Sequence, residues 1–192
     1  MRFSRARSGG VTADPAPVEV AVLASAAADL ASLLSADEQA APRDPLEELV
    51  GLSPAARRPD DPALQRLLPD AYRDDAFGDD AEAARAASAE FRRFTDNDLR
   101  TLKRRQADTV LETLAAIEER GRLELSRDQA DDWLGFLTDV RLVLAVRLGV
   151  DETTLDDDLP DDGDPRTEAL QIYSWLGWLQ ESLLSCLEPR SS

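Results

Sequence analysis

Apolar residues recur every three or four positions in several long stretches of the chain. That spacing places them on one face of an α-helix, where they can be buried against other helices. The pattern predicts four main helices over residues 18–34, 96–120, 127–149 and 165–187, and a further helix over 82–94. Such a pattern is typical of an all-α bundle, in which the apolar faces meet in one core.

The predicted helices begin and end at residues that suit helix ends. Ser126 and Gln129 have the spacing of a capping box, in which each side chain accepts a hydrogen bond from the other residue's backbone N–H. Gly149 suits the left-handed conformation that often follows a helix. Thr95 and Asp98 resemble a second capping box, and they predict a break in the helical structure at that point.

The rest of the chain is polar or rich in proline. Residues 1–15 contain two short runs around Ser-Gly-Gly, which predict a β-hairpin with a glycine turn. An irregular linker region with one or two short helices is predicted over 36–80, an acidic loop over 150–165, and a tail over 189–192. We therefore predict a single helical domain over residues 1–192, an all-α bundle of about four main helices with a small N-terminal β-hairpin.

The composition removes several kinds of chemistry. The chain has no histidine and a single cysteine, so histidine-activated nucleophiles, zinc sites of histidine and cysteine, and an intrachain disulfide have no basis. No glycine-rich phosphate-binding motif is present. We predict from this that the protein is not an enzyme and that it uses no metal and no cofactor.

Charge and hydropathy bear on partners and location. With 22 Lys and Arg against 39 Asp and Glu, the formal net charge is −17, which repels nucleic acids and anionic membranes unless a local basic patch overrides it. No uncharged apolar run approaches the roughly 18 residues of a membrane span, and no secretory leader is recognisable. Together with the lone cysteine, these features predict a cytoplasmic protein without a membrane contact.

One segment departs from the acidic character of the chain. A cluster of basic residues there suits contact with phosphate groups or with an acidic protein surface. The alternative is a solvated helix face whose cations pair with carboxylates one turn away. The basic cluster consists of Arg92, Arg93, Arg100, Lys103, Arg104 and Arg105.

Two residues on the last two predicted helices indicate an ion pair in the interior. Arg147 falls inside the apolar arc that Trp133 and Val140 help to define. A buried guanidinium needs a carboxylate or carbonyl partner, and Glu168 is the candidate. The alternative is an anion-binding site that faces a cleft around Arg147.

The last predicted helix carries the lone cysteine and two of the three tryptophans. Cys186 is interpreted as a small buried apolar residue, with a redox-sensing thiol as the alternative. Trp175 lies within the wide apolar arc of the helix and is predicted to be core. Trp178 lies at the edge of that arc, beside the polar strip, and is predicted to be an exposed contact or the seam of a homodimer.

Four segments together resemble one known family: DPALQRLLPDAYRDD, EFRRFTDNDLRTLKRRQADTVLETL, WLGFLTDVRLVLAVRLGV and IYSWLGWLQESLL. They are similar to an actinobacterial family of unknown function, encoded near the Clp protease adaptor, of which some members are named AosR, an oxidative-stress transcriptional regulator. The resemblance implies regulation through protein contacts, with RNA polymerase or a sigma factor as partner, and it implies no catalytic residues. Redox switching in such a regulator would involve a cysteine pair, and here Cys186 has no second cysteine with which to pair.

These observations predict a non-enzymatic regulatory protein that acts through protein contacts. Two alternatives stay open at this point. The first is a DNA-binding regulator that uses the basic cluster, and the second is a helical domain that binds a small anion or ligand around Arg147. The candidate contact residues are Arg100, Lys103, Arg104, Arg105 and Trp178.

Overall fold

The computed structural model describes residues 1–6, 9–40, 58–72, 80–150 and 165–188. Within these ranges the chain is mainly helical with one small sheet, which confirms the predicted fold class. The helices are α1 (Pro17–Ala40), α2 (Pro62–Leu67), α3 (Ala81–Ala115), α4 (Ile117–Arg120), α5 (Arg127–Leu148) and α6 (Pro165–Leu187). The strands are β1 (Ser4–Arg5), β2 (Val11–Ala13) and β3 (Leu123–Leu125).

Parts of the predicted irregular regions lie outside the described residues. These parts are 41–57 and 73–79 within the predicted linker region, nearly all of the predicted acidic loop, and the tail at 189–192. The linker region begins later than predicted, because α1 continues to Ala40. The described part of the region also contains α2, which confirms a short helix there.

The N-terminal hairpin is confirmed, and a third strand joins it. β1 pairs antiparallel with β2, and β2 pairs antiparallel with β3, so the strand order is β1-β2-β3. Val11 pairs with Leu125 and Ala13 with Leu123, and these four side chains are buried on the same face of the sheet. Gly10 allows β3 to approach, because a β-carbon at that position would lie 2.3 Å from the Leu125 carbonyl oxygen.

The chain divides into two compact units. The larger unit contains the described residues of Met1–Leu30 and Arg105–Ser192, and the smaller unit contains those of Ala31–Arg104. The sheet, α5 and α6 belong to the larger unit, and α2 belongs to the smaller one. The single domain predicted over the whole chain stays a prediction.

Aromatic side chains on α5 form the centre of the core in the larger unit. Trp133 and Phe136 are fully buried with ring centroids 6.4 Å apart, and Phe3 meets Trp133 edge to face at 5.8 Å. The indole Nε1 of Trp133 donates a hydrogen bond of 2.9 Å to Thr113 Oγ1 on α3, so the one polar atom of the indole is satisfied. The buried leucines of α6, on the predicted apolar arc, are Leu176, Leu179 and Leu183.

Most of the predicted helix ends are confirmed. Ser126 Oγ accepts a hydrogen bond from the Gln129 N–H at 3.2 Å, and Gln129 Oε1 accepts one from the Ser126 N–H at 2.9 Å. Gly149 follows α5 with a φ of 64°, in the left-handed region that glycine favours. α6 begins at Pro165, where a helix does not need the missing N–H.

The predicted break at Thr95 is wrong. α3 runs without interruption from Ala81 to Ala115. Thr95 Oγ1 donates a hydrogen bond of 3.0 Å to the Phe91 carbonyl one turn earlier, which is the bond that a threonine makes inside a helix rather than at its start. The spacing of Thr95 and Asp98 therefore matched a capping box by chance.

α1 is unusually apolar for a helix with so much exposed surface. Over Pro17–Ser35 it is, among the described helices, the one long and apolar enough to cross a membrane by length and composition. A core helix or a segment near an N-terminus can satisfy the same criterion. Only 22% of this stretch is buried, through residues such as Leu23 and Leu30. Of the other residues in this stretch, eight are half-buried and seven are exposed, and Val18 is the large apolar residue among the exposed ones.

Candidate interaction site

The two most buried members of the basic cluster are built into the smaller unit. Arg100 is 2% exposed, and its Nε donates a hydrogen bond of 2.7 Å to Asp96 Oδ2 while its Nη1 donates one of 3.2 Å to the Leu34 carbonyl. Arg92 is also buried and pairs with Asp70. Burial lowers the pKa of the Arg92 guanidinium, and Asp96 opposes this shift. Arg100, predicted as a contact residue, is instead an interior residue.

The other described members of the basic cluster are more accessible. Arg104 Nη2 donates a hydrogen bond of 3.3 Å to the same Leu34 carbonyl. Arg105 Nη2 pairs with Asp132 Oδ1 at 2.8 Å, while 64% of the Arg105 side chain stays exposed. Lys103 is half-buried. Contact roles for Lys103, Arg104 and Arg105 stay predictions, but much of the positive charge of the cluster is already compensated by the protein itself.

The predicted burial of Arg147 and Glu168 is wrong, because both residues are exposed. The apolar periodicity of α5 continues past the point where the core ends. Buried residues of α5 lie between Ala130 and Val140, whereas the stretch from 141 to 148 is half-buried or exposed throughout. The smaller unit does contain a buried ion pair, but it is formed by the basic cluster and not by Arg147.

Cys186 is half-buried beside a pocket of about 430 Å³ that Arg5 and Arg127 also line. Burial raises the pKa of the Cys186 thiol, and the opposing effect of Arg5 and Arg2 is smaller. Arg5 and Arg127 donate hydrogen bonds of 3.0 and 2.8 Å to carbonyl groups at the C-terminal end of α6. A thiol with a raised pKa is mostly protonated at neutral pH and is a weak nucleophile. In the described ranges, no three His, Cys, Asp or Glu side chains lie close enough to hold a metal ion.

An open apolar pocket of about 290 Å³ lies between the start of α1 and the first half of α6. We call it the tryptophan groove. Both helices belong to the larger unit at this point, so the groove is formed within one compact unit. Its lining residues are Val18, Glu19, Val22, Glu168, Gln171, Ile172 and Trp175.

Glu19 holds one side of the tryptophan groove in place. Its Oε2 accepts a hydrogen bond of 2.7 Å from the Ala16 N–H, and its carboxylate pairs with the N-terminal ammonium of Met1. Burial on its own would raise the pKa of Glu19, but the ammonium, the Ala16 N–H and the Trp175 indole together lower the pKa below its ordinary value. Glu19 is therefore ionised and held by partners at neutral pH.

Two apolar side chains in and beside the tryptophan groove are open to solvent. Val18 is 68% exposed, and Trp178, one helical turn after Trp175, is 45% exposed. The predicted exposure of Trp178 is confirmed, while its role as a contact stays a prediction. Trp175 was predicted to be core and is half-buried, because it lines the groove instead of closing it.

A polar cluster that the sequence pattern did not predict joins α5 to α6. Arg141 Nη1 donates a hydrogen bond of 2.5 Å to Gln180 Oε1, and its guanidinium lies 5.1 Å from the centre of the Tyr173 ring. Gln180 Nε2 in turn donates one of 2.9 Å to Thr138 Oγ1. The guanidinium passes close to Gly177, where a β-carbon would lie 3.4 Å from it. The signal that could have indicated this contact is Gly177, a glycine inside one predicted helix, because it leaves room for the long side chain of Arg141 from the neighbouring helix.

A second exposed apolar surface lies on the part of α3 that belongs to the smaller unit. Phe91, Phe94 and Leu102 are 47%, 61% and 39% exposed, and their spacing places them on one side of the helix. The sequence segment EFRRF carried this signal, but the predicted helix break at Thr95 separated Leu102 from the two phenylalanines.

Known proteins similar to this chain carry regulatory names. The model of a family described as a domain of unknown function, DUF2017, matches residues 1–187. The chain is 34% identical over 177 residues to the oxidative stress regulator AosR of Mycobacterium tuberculosis (strain ATCC 25618 / H37Rv) and to that of Mycobacterium bovis (strain ATCC BAA-935 / AF2122/97), which is 90% of this chain and 79% of each relative. An AosR relative from Mycobacterium leprae is 36% identical over 177 residues, 90% of this chain and 80% of its own length. No solved structure matches the chain.

Proposed function

The chain belongs to the DUF2017 family, and from this premise we propose that it is a non-enzymatic cytoplasmic regulator of the response to oxidative stress that acts through protein contacts. The observation that carries the proposal is the similarity to the AosR proteins, which are named as oxidative stress regulators and which the chain matches over 90% of its length. That similarity supports a regulatory role.

The finer proposal is that regulation occurs in transcription, with RNA polymerase or a sigma factor as the protein partner. Three observations, two from the structure and one from the composition, favour protein contact over DNA contact. Arg92 and Arg100 are buried in ion pairs, so the basic cluster presents less positive charge than its sequence suggests. The net charge of −17 opposes binding to a polyanion. The open tryptophan groove and the exposed Trp178 have the apolar, aromatic character of protein contact sites.

The sensing step is not a disulfide within this chain, since Cys186 is the only cysteine. The raised pKa of Cys186 also argues against rapid oxidation of that thiol. We therefore place the chain downstream of the oxidant, as a protein whose contacts change gene expression, rather than as the group that reacts with the oxidant.

Affinity pull-down from native host lysate, followed by mass spectrometry, tests the proposal. We expect a component of the transcription machinery to be recovered reproducibly in reducing and in oxidising buffer. Recovery of no reproducible partner in either buffer contradicts the proposal.

A salt titration of binding to duplex DNA tests the DNA-binding alternative with the same preparation. Tight binding that strengthens as salt falls, and that weakens in the R104E/R105E variant, would favour that alternative. We expect weak binding that this variant does not change.

A further inference from the structure

We propose that the tryptophan groove is the docking site for a cationic amphipathic segment of a partner protein, which inserts a bulky apolar side chain between α1 and α6 and places basic residues against the acidic rim. This inference deepens the proposed function and rests on it, because it assigns the protein contact to one surface and gives the partner its chemistry.

The floor of the tryptophan groove suits an apolar anchor. Val18, Val22, Ile172 and Trp175 line it, and among them Val18 is 68% exposed while the other three are half-buried. A volume of about 290 Å³ is enough for one or two large apolar side chains but small for most cofactors. Tryptophan is among the residues enriched at the energetic hot spots of protein interfaces, and Trp175 lies half-buried in the same groove as the exposed Val18.

The partner could also contact the part of α1 that continues beyond the tryptophan groove. Only 22% of the stretch Pro17–Ser35 is buried, although that stretch is apolar enough to cross a membrane. Val18, Val22, Ser25 and Asp29 follow one another at helical spacing, so an apolar start leads along the helix to an exposed carboxylate. A partner helix laid along α1 would therefore meet an apolar seat at one end and a negative charge farther on.

The carboxylates around the tryptophan groove favour a partner with positive charge. Glu168 is exposed at the rim, and among the described residues no cation forms an ion pair with it. Glu19 is already held by the Met1 ammonium, so Glu168 and the exposed Asp29 are the carboxylates left to attract basic side chains. Complementary charge at an interface raises the association rate and rejects like-charged partners.

The same charges argue against a second copy of the chain and against a membrane as the occupant of this surface. A second copy of the chain would bring another net charge of −17 and the same carboxylates to the contact. An anionic membrane surface would be repelled by Glu168 and Asp29 for the same reason. A cationic segment of another protein meets both the apolar and the acidic requirement.

Binding of a defined peptide tests the inference. The probe is a fluorescently labelled helical peptide with leucines at i, i+3, i+4 and i+7 and lysines elsewhere, and its matched partner carries glutamate in place of lysine. We expect the lysine peptide to bind the full chain and the glutamate peptide to bind at least about tenfold more weakly, as followed by fluorescence anisotropy. Raising the salt concentration should weaken the lysine complex.

Matched variants locate the site. Val18→Glu on α1 should weaken the lysine peptide at least about tenfold, whereas Leu184→Glu, at an exposed leucine of α6 outside the groove, should not. Glu168→Lys should weaken the same complex several-fold, whereas Glu181→Lys, at an exposed position of α6 outside the groove, should have little effect. Circular dichroism of each variant checks that the helices are retained.

Several outcomes would overturn the inference. They are equal binding of the two peptides, equal effects of V18E and L184E, or equal effects of E168K and E181K. Self-association of the chain that V18E abolishes would assign the surface to a second copy, and binding to phosphatidylglycerol vesicles that V18E abolishes would assign it to a membrane. If the pull-down recovers a partner equally with the wild-type chain and with V18E, this inference fails while the proposed function stands.

Discussion

Substitution of Asp96, the partner of Arg100 in the smaller unit, tests whether this member of the basic cluster is a buried structural residue or a surface contact. Arg100 and Asp96 are 2% and 4% exposed and are joined by a hydrogen bond of 2.7 Å. An ion pair on the surface contributes about 0.2–1 kcal/mol, whereas removal of one partner of a buried pair costs about 3–5 kcal/mol, because the remaining charge stays buried without compensation. The bond from Arg100 to the Leu34 carbonyl remains, so we expect Asp96→Asn to cost about 3 kcal/mol, at the lower end of that range.

Urea unfolding followed by circular dichroism measures this cost. For the usual slope of about 1–3 kcal/mol per molar urea, a loss of about 3 kcal/mol lowers the urea midpoint by about 1–3 M. The double variant D96L/R100M replaces both charges by apolar side chains and should recover most of the lost stability. A loss under about 1 kcal/mol in D96N is the value expected of a surface ion pair, so it would place Arg100 in contact with solvent and return it to the candidate contact residues.

Three further predictions concern the larger unit. Thr113→Val removes the acceptor of the Trp133 indole and should cost about 1–3 kcal/mol of unfolding free energy, while Thr138→Val at an exposed position should cost less. The pKa of Glu19 is lower in the folded protein than its ordinary value of 4.5. Ionised Glu19 therefore stabilises the fold fully at a pH above 4.5, and this contribution is lost as the pH falls through the pKa of the folded state. Glu19→Gln should therefore flatten the acid side of the stability–pH curve, and an unchanged curve would contradict the assigned ion pair. Cys186 should react with iodoacetamide with an apparent pKa above 9.0, its ordinary value, and a midpoint near 7 would restore the redox-sensing interpretation.

Helices were predictable where periodicity and end signals agreed. The Ser126–Gln129 capping box and Gly149 mark the two ends that α5 has in the structure. Thr95 misled the prediction because a threonine can bond to its own helix as readily as it caps one. β3 was not predicted, since three residues between two helices carry too little alternation to stand out.

The candidate site was predictable only in part. The position of Trp178 at the edge of the apolar arc indicated its exposure, because in α6 the centre of that arc is the face that is buried. The wheel of α5 failed for Arg147, since the apolar pattern continues beyond Val140 while the buried part of the helix does not. Burial of Arg100 could not be read from the sequence, because its carbonyl partner on α1 lies 66 positions away.

We propose that the chain regulates gene expression under oxidative stress through a protein contact at the tryptophan groove. The decisive measurement is transcript profiling after peroxide treatment, in a deletion strain of the native host complemented with the wild-type chain, with V18E or with L184E. We expect that deletion alters a reproducible set of transcripts, that the wild-type chain and L184E restore their levels, and that V18E does not. Full restoration by V18E would rule out the tryptophan groove as the contact site, and a deletion that leaves the peroxide response unchanged would rule out the regulatory role.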